Sequence, residues 1–247
     1  MNEYKYKTEL HCHTKYVSKF CATVDAESIV EQYIKFGYST VVITDHLNAR
    51  TFTHPDCKDL SMRDKMDYYV DGYRKVKEYA GDRLNVLLGA EVCFPENHSD
   101  YLIYGPDEDF FLNNTDMYLH DRYWTGSLAH HNDCLFIQAH PFRVGCAVTE
   151  DWVIDGIEVY NGHPDQRNHN KIAEEWAKIY PQYILTSGSD HHDEPCYPTA
   201  GIMTKEPITS NKQLVEILKS GDFKLIRDEE TRKKAKRDLD EWLKSLN

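Results

Sequence analysis

Two histidines one residue apart, His11 and His13, are the first residues in this chain whose types and spacing could do chemistry. On a strand, positions i and i+2 project from one face, so both imidazoles can reach a single ion. Asp190 and His192 repeat that spacing near the other end of the chain. Between them, His46, Glu91 and His140 each follow a short apolar run, positions where a satisfied core residue would be unusual. By themselves His11 and His13 would be an ordinary strand pair. Taken together, HxH, DH, GxE, HP and SDxH occur in this order, each ending a strand, and predict a metal site. Imidazole and carboxylate donors without a thiolate suit Zn²⁺, Mn²⁺ or Fe²⁺ and do not choose among them.

Strands are expected at roughly 7–12, 40–45, 85–93, 100–104, 134–139, 156–161 and 183–187, with an eighth at 200–204. Helices punctuate them. Asp25 caps a helix that carries Ile29, Val30, Tyr33 and Ile34 and stops at Gly37, and a second runs from Ser61 to Gly81. Further helices are expected at about 166–179, 211–220 and 228–245. Alternating strands and helices predict a parallel sheet in one domain spanning 1–247. The fourth strand begins at SDYLIYG, and most of the others end in metal-ligand residue types. An open sheet would bring only two or three such ends together, whereas a closed barrel brings all of them to one mouth, so a barrel is expected.

These motifs resemble the polymerase and histidinol phosphatase (PHP) family of metal-dependent phosphoesterases. The resemblance runs from Glu9 to His192 through ELHCHT, ITDH, GAEV, QAHP and SGSDHH. It implies an α/β fold, a distorted (β/α)7 barrel with two or three divalent ions at its mouth. His11, His13, Glu91 and Asp190 would hold one ion, and Glu91 would bridge to a second held by His140. His46 and His192 would share a third. Two positions depart from the family pattern. Shortly after HxH, where many members carry a further Asp or His, this chain offers Ser18 and Lys19, so the third ion lacks a protein ligand. Many members also carry a histidine on the fourth strand, and Asp100 is the substitute here, with His98 as the alternative.

Two ions about 3.5–4 Å apart would turn a shared water into hydroxide near neutral pH, to attack phosphorus in line. A guanidinium matches the phosphoryl group bidentately. Arg143 in HPFR is the first candidate and Arg167 the second, while His163 would serve in proton transfer or substrate contact. Asp45 is read as a partner of a ligand, or as a helix cap. The expected activity is therefore hydrolysis of a small phosphorylated metabolite or short nucleotide. The alternatives are an amidohydrolase-type hydrolase of C–N or C–O bonds and a metal-binding module without turnover.

Composition narrows the partners. The 247 residues carry 41 acidic against 29 basic side chains, a net charge of −12, which argues against a long nucleic acid. The basic run from Arg232 to Arg237 sits in a helical pattern and reads as a solvated face. The apolar runs are too short to cross a bilayer, so no membrane partner is expected. Seven cysteines without a CxxC pair suit a cytoplasmic protein, most of them as small buried hydrophobes. Nothing in the sequence fixes an oligomeric state.

Overall fold

The computed structural model describes residues 3–96, 98–150, 152–164 and 167–245. Ten strands form one sheet: β1 (Tyr6–Cys12), β2 (Tyr38–Ile43), β3 (His46–Leu47), β4 (Asn85–Cys93), β5 (Asp100–Tyr104), β6 (Leu135–Gln138), β7 (Gly156–Asn161), β8 (Ile184–Gly188), β9 (Ala200–Thr204) and β10 (Lys224–Arg227). The order β1-β2-β4-β5-β6-β7-β8 makes a ring. Its seam closes where His13 N donates to His191 O and His191 N to His11 O. This is the distorted seven-stranded barrel expected from the motifs.

The ring is not wholly parallel. β5 runs antiparallel to both β4 and β6. Residues 94–99 are too few for the crossover that a parallel neighbour requires, so the chain turns back as a hairpin. This reversal is why Asp100, at the start of its strand, stands at the same mouth as residues that end theirs. The eighth expected strand, β9, is outside the ring as an antiparallel neighbour of β1, with the unforeseen β10 beyond it.

Among the described residues seven α-helices surround the sheet: α1 (Ala26–Lys35), α2 (Met62–Ala80), α3 (Glu108–Asn113), α4 (Arg122–His131), α5 (Asn170–Ile179), α6 (Asn211–Ser220) and α7 (Glu229–Ser245). Asp25 and Ser61 cap α1 and α2 through the N–H groups of Ser28 and Asp64, as their positions predict. The expected helix at 166–179 starts at Asn170, and Gln166 lies outside the described residues. α3 and α4 occupy the 105–130 segment, to which the sequence assigned no element. The Tyr-rich α2 is a wall helix, for Tyr69 and Val70 pack with Ile29 and Tyr33 of α1 against the outward residues Ile43, Leu88 and Ala90. A second apolar cluster fills the barrel, joining Val42, Leu87, Leu102 and Ile137 to Leu214 and Leu218 of α6. α6 thus plugs the end away from the mouth. No described helix is long and apolar enough to cross a membrane.

β1 carries a register shift between Glu9 and Cys12. Such a bulge frees backbone N–H groups, and Glu9 Oε1 takes those of Leu10 and His11 at 3.0 Å together with that of Ser189 at 2.8 Å. Its other oxygen accepts the Tyr33 hydroxyl at 3.1 Å. Burial drives this carboxyl up to about 7, against the pull of its hydrogen bonds from Ser189, His11 and Tyr33. A carboxyl that titrates near 4.5 unfolded and near 7 folded keeps its proton only in the folded state between those values. Its contribution is therefore neutral at acid pH and unfavourable above pH 7, by roughly 3 kcal/mol at full development. In Glu9→Gln the amide oxygen can keep the three N–H bonds. With chelator present, the variant should match wild type near pH 4.5 and exceed it in urea unfolding free energy at pH 8. A difference that does not change with pH would refute this.

Candidate metal centre

Strand ends deliver the cluster. His11 and His13 come from the end of β1 and just beyond it, Glu91 from β4, Asp100 from β5, His140 from the turn after β6, and Asp190 and His192 from the segment after β8. His46 on β3 pairs in register with Glu91. Glu91 lies at the middle. Its Oε1 is 3.1 Å from His140 Nε2 and 3.2 Å from His11 Nε2, and its Oε2 is 2.9 Å from His46 Nδ1 and 3.4 Å from His13 Nε2. Asp190 Oδ1 faces His11 Nε2 at 3.5 Å, His13 Nε2 at 3.4 Å and His192 Nδ1 at 3.2 Å. Asp100 Oδ2 lies 3.7 Å from His140 Nε2, whereas His98 is exposed.

Among the described residues the potential ligand atoms fall into three groups, each within 4.8 Å: His11, His13 and Glu91; Glu91, Asp100 and His140; His13, His46 and His192. Among the described residues, buried His11 Nε2, His13 Nε2, His46 Nδ1 and Glu91 Oε2 have no hydrogen-bond partner. Donor atoms that face one another closely without hydrogen-bond geometry are aimed at a common point, and desolvated polar atoms are costly unless something satisfies them. The residues therefore fit divalent ions. Their arrangement is also strained, since His140 and Asp190 have φ of 28° and 51°, a region that side chains other than glycine seldom adopt.

Charge in the cluster is mutually dependent. Burial pushes the Glu91 carboxyl up, but His11 and His46 outweigh it and hold the group well below the usual carboxylate range. Asp190 is likewise held low against its burial by His11 and His192. Burial, helped by His192 and His46, drives His13 well below the usual histidine range, so its ring is neutral. His140 is raised to about 9, against burial and Arg143, by Cys146 and Glu91. An entering ion must displace protons from the raised histidines, so binding weakens in acid.

Around the cluster, Glu158 is a candidate functional residue that sequence reasoning missed. Its Oε1 lies 2.9 Å from His11 Nδ1, a contact that, made as Nδ1–H to carboxylate, turns Nε2 toward Glu91 as the atom for an ion. Its Oε2 accepts from His140 N at 3.1 Å and Asn161 Nδ2 at 2.8 Å. The available signal was a lone glutamate inside the apolar run GIEVY. Asp45 accepts from Thr14 N at 2.7 Å and Ser18 Oγ at 2.6 Å, fixing the turn after His13. Arg143 donates to Asp190 Oδ2 at 2.7 Å, so it reaches the cluster, while exposed Arg167 lines a different cavity. The buried ring of His163 stands edge-on to that of His192, 5.6 Å away.

Gly188 admits no side chain beside these groups. A Cβ there would lie 2.3 Å from His11 Cβ and 2.5 Å from Glu158 Oε1. Gly188→Ala should therefore reduce metal affinity by about 10–100-fold, as loss of an orienting contact does, although it changes no candidate ligand. Isothermal titration with Zn²⁺ would measure this, and unchanged affinity would refute it.

A barrel whose mouth gathers histidines and carboxylates into three ion-sized groups defines a metal-centre protein of the α/β barrel class. The PHP domain model matches residues 9–247, and the chain belongs to that family. A curated relative, the PolC-type DNA polymerase III of Streptococcus pyogenes (strain Manfredo), is 29% identical over 165 residues, 66% of this chain and 9% of the relative. Two solved structures share the fold. One is a two-domain protein from Bacteroides vulgatus described as containing a predicted PHP-like metal-dependent phosphoesterase, with TM-score 0.66 and 15% identity over 91% of this chain and 65% of that one. The other is a lesion-specific endonuclease from Pyrococcus furiosus, with TM-score 0.59 and 15% identity over 89% of this chain and 57% of that one. The chain thus spans about a tenth of the curated relative.

Proposed function

We propose that this chain is a metal-dependent phosphoesterase acting on a small phosphorylated metabolite or short nucleotide. The observation that carries the reading is the Glu91 carboxylate shared between two ligand groups, with buried unpartnered nitrogens around it. His11, His13, Glu91 and Asp190 would hold one ion, Glu91, Asp100 and His140 a second, and His46 and His192 a third. Zinc, manganese or iron, once bound, supplies an activated water and charge neutralisation for the phosphoryl oxygens.

The chain's own residues do the rest. Glu158 holds His11 in the tautomer that presents Nε2. Arg143, anchored by Asp190 and Asn168, contacts the phosphoryl group. His163 passes a proton to the departing alcohol oxygen. A cavity of about 410 Å³ opens beside His46 and Asp100, lined by Phe20, Arg50 and Phe94, and suits a small alcohol moiety. In the basic run 232–237, Lys233 and Lys236 pair with Glu230 and Asp240, which offsets part of the positive charge that the run would offer a polymer and supports the small-substrate reading.

The test is purified protein supplied with Mn²⁺ or Zn²⁺ and a panel of phosphomonoesters, phosphodiesters and duplex DNA carrying an abasic site. Release of phosphate or alcohol from small esters, with DNA untouched, is expected. Metal-loaded protein that cleaves none of the small esters would overturn the reading.

A further inference from the structure

Resting on the metal-centre reading above, the ion assigned to His46 and His192 lacks an obvious third ligand. Ser18 is committed elsewhere, donating to Asp45 Oδ1 at 2.6 Å and accepting from His46 N at 3.0 Å. Lys19 is paired with Asp56 and, as an ammonium, has no lone pair to offer. The residue that the fold does bring there is Cys21. A turn forms where Cys21 N and Ala22 N both donate to Ser18 O, and the following segment is tied down by Thr23 N and Val24 N on His192 O. The Cys21 thiol donates to Ser18 O at 3.4 Å, and the charges of the His46 and His192 rings act on it. It also faces the cavity that Ser18 and His46 line.

Two further observations point to an ion at this place. His192 Nε2 and His46 Nε2 lie 3.5 Å apart, and nitrogens each about 2 Å from one tetrahedral zinc lie roughly 3.3 Å apart. His46 and His192 also offer ligand atoms within 4.8 Å of one on His13, whose buried ring stacks on those of His192 and His46 at 4.0 and 4.4 Å, so an ion there adjoins the one that His13 holds.

We infer that Cys21 Sγ is a protein ligand of the ion held by His46 and His192, binding as the thiolate after its proton leaves to solvent. A thiolate beside two imidazoles selects zinc or ferrous iron over manganese or magnesium. The carboxylate-rich groups around Glu91 carry no such bias, so this chain has one soft position and at least one hard one in a single centre.

Cobalt substitution of the full chain tests this, because a cobalt–thiolate bond has a charge-transfer absorption that imidazole and carboxylate ligands do not give. The wild-type protein should develop that band on Co²⁺ titration, and Cys21→Ser should lose it and bind one ion fewer per chain. Cys93→Ser and Cys146→Ser, the other thiols near the centre, should keep it. Cys21→Asp should restore the ion without the band. Far-UV circular dichroism and the remaining bound ions show that each variant is folded. Metal bound to wild type without the band, or a band that survives in Cys21→Ser, would overturn the inference and leave the phosphoesterase reading standing. Wild type that binds no metal would overturn both.

Discussion

Glu91→Gln is expected to lower kcat/KM for phosphoester hydrolysis by about a thousandfold or more, roughly 4 kcal/mol on the barrier. The substitution is nearly isosteric, so the fold should persist. What changes is charge and hydrogen bonding at the carboxylate that two ligand groups share. Oε1 faces His140 and His11, and Oε2 faces His46 and His13, all within 3.4 Å. An amide nitrogen in place of either oxygen presents N–H toward an ion position and removes the negative charge that offsets two cations. The same loss should lower the pKa values of His11 and His46, both now held well above the usual histidine range, against their burial, with Glu91 among the causes. Metal analysis of the purified variant should show depletion alongside lost activity. Asp100→Asn should cost less, because Asp100 is about one-fifth exposed and belongs to one ligand group, beside His140, where Glu91 belongs to two. A Glu91→Gln protein with full metal content and full turnover would sink the assignment.

Much of this site is legible in the sequence because the chemistry is concentrated where apolar runs stop. β1, β4 and β6 end within a residue of their expected positions, with His11 and Glu91 among the last three residues of their strands and His140 just past the third. Asp100 followed a different rule. It begins a strand, and only a hairpin reversal, which alternation of strands and helices does not signal, sets it at the mouth. Glu158 was hidden for a related reason: inside an apolar strand a glutamate gives no sign of whether it faces the barrel or a helix. Nothing in the sequence singles out Cys21 among seven cysteines that suit, for the most part, small buried hydrophobes, and it is exposed at the cavity. Its neighbours are His46 and His192, separated from it by 25 and 171 positions, and no local spacing encodes that meeting. α3 and α4 went unassigned since neither short segment shows a sustained apolar stripe, and their burial is decided by packing on α2 and β6.

Arg143→Ala is the second substitution with a large expected effect, a loss of about a hundredfold to a thousandfold in kcat/KM, or 2.7–4 kcal/mol, comparable to removing one oxyanion donor. The guanidinium is already oriented. Nε donates to Asn168 Oδ1 at 2.8 Å, Nη2 to Asp190 Oδ2 at 2.7 Å, and Asn168 in turn is held by Asn161. With those two edges occupied, Nη1 remains for a phosphoryl oxygen, and no side-chain freedom has to be lost when substrate arrives. Lysine at this position keeps the charge but not the planar fork, so Arg143→Lys should recover only part of the loss. A residue that merely supported Asp190 would behave differently, for its removal would strip metal. Asp190 keeps His11, His13 and His192 as neighbours without Arg143, so metal content should hold in Arg143→Ala while inhibition by inorganic phosphate weakens. Retained phosphate inhibition together with depleted metal would reassign Arg143 from substrate contact to a positioning residue for Asp190.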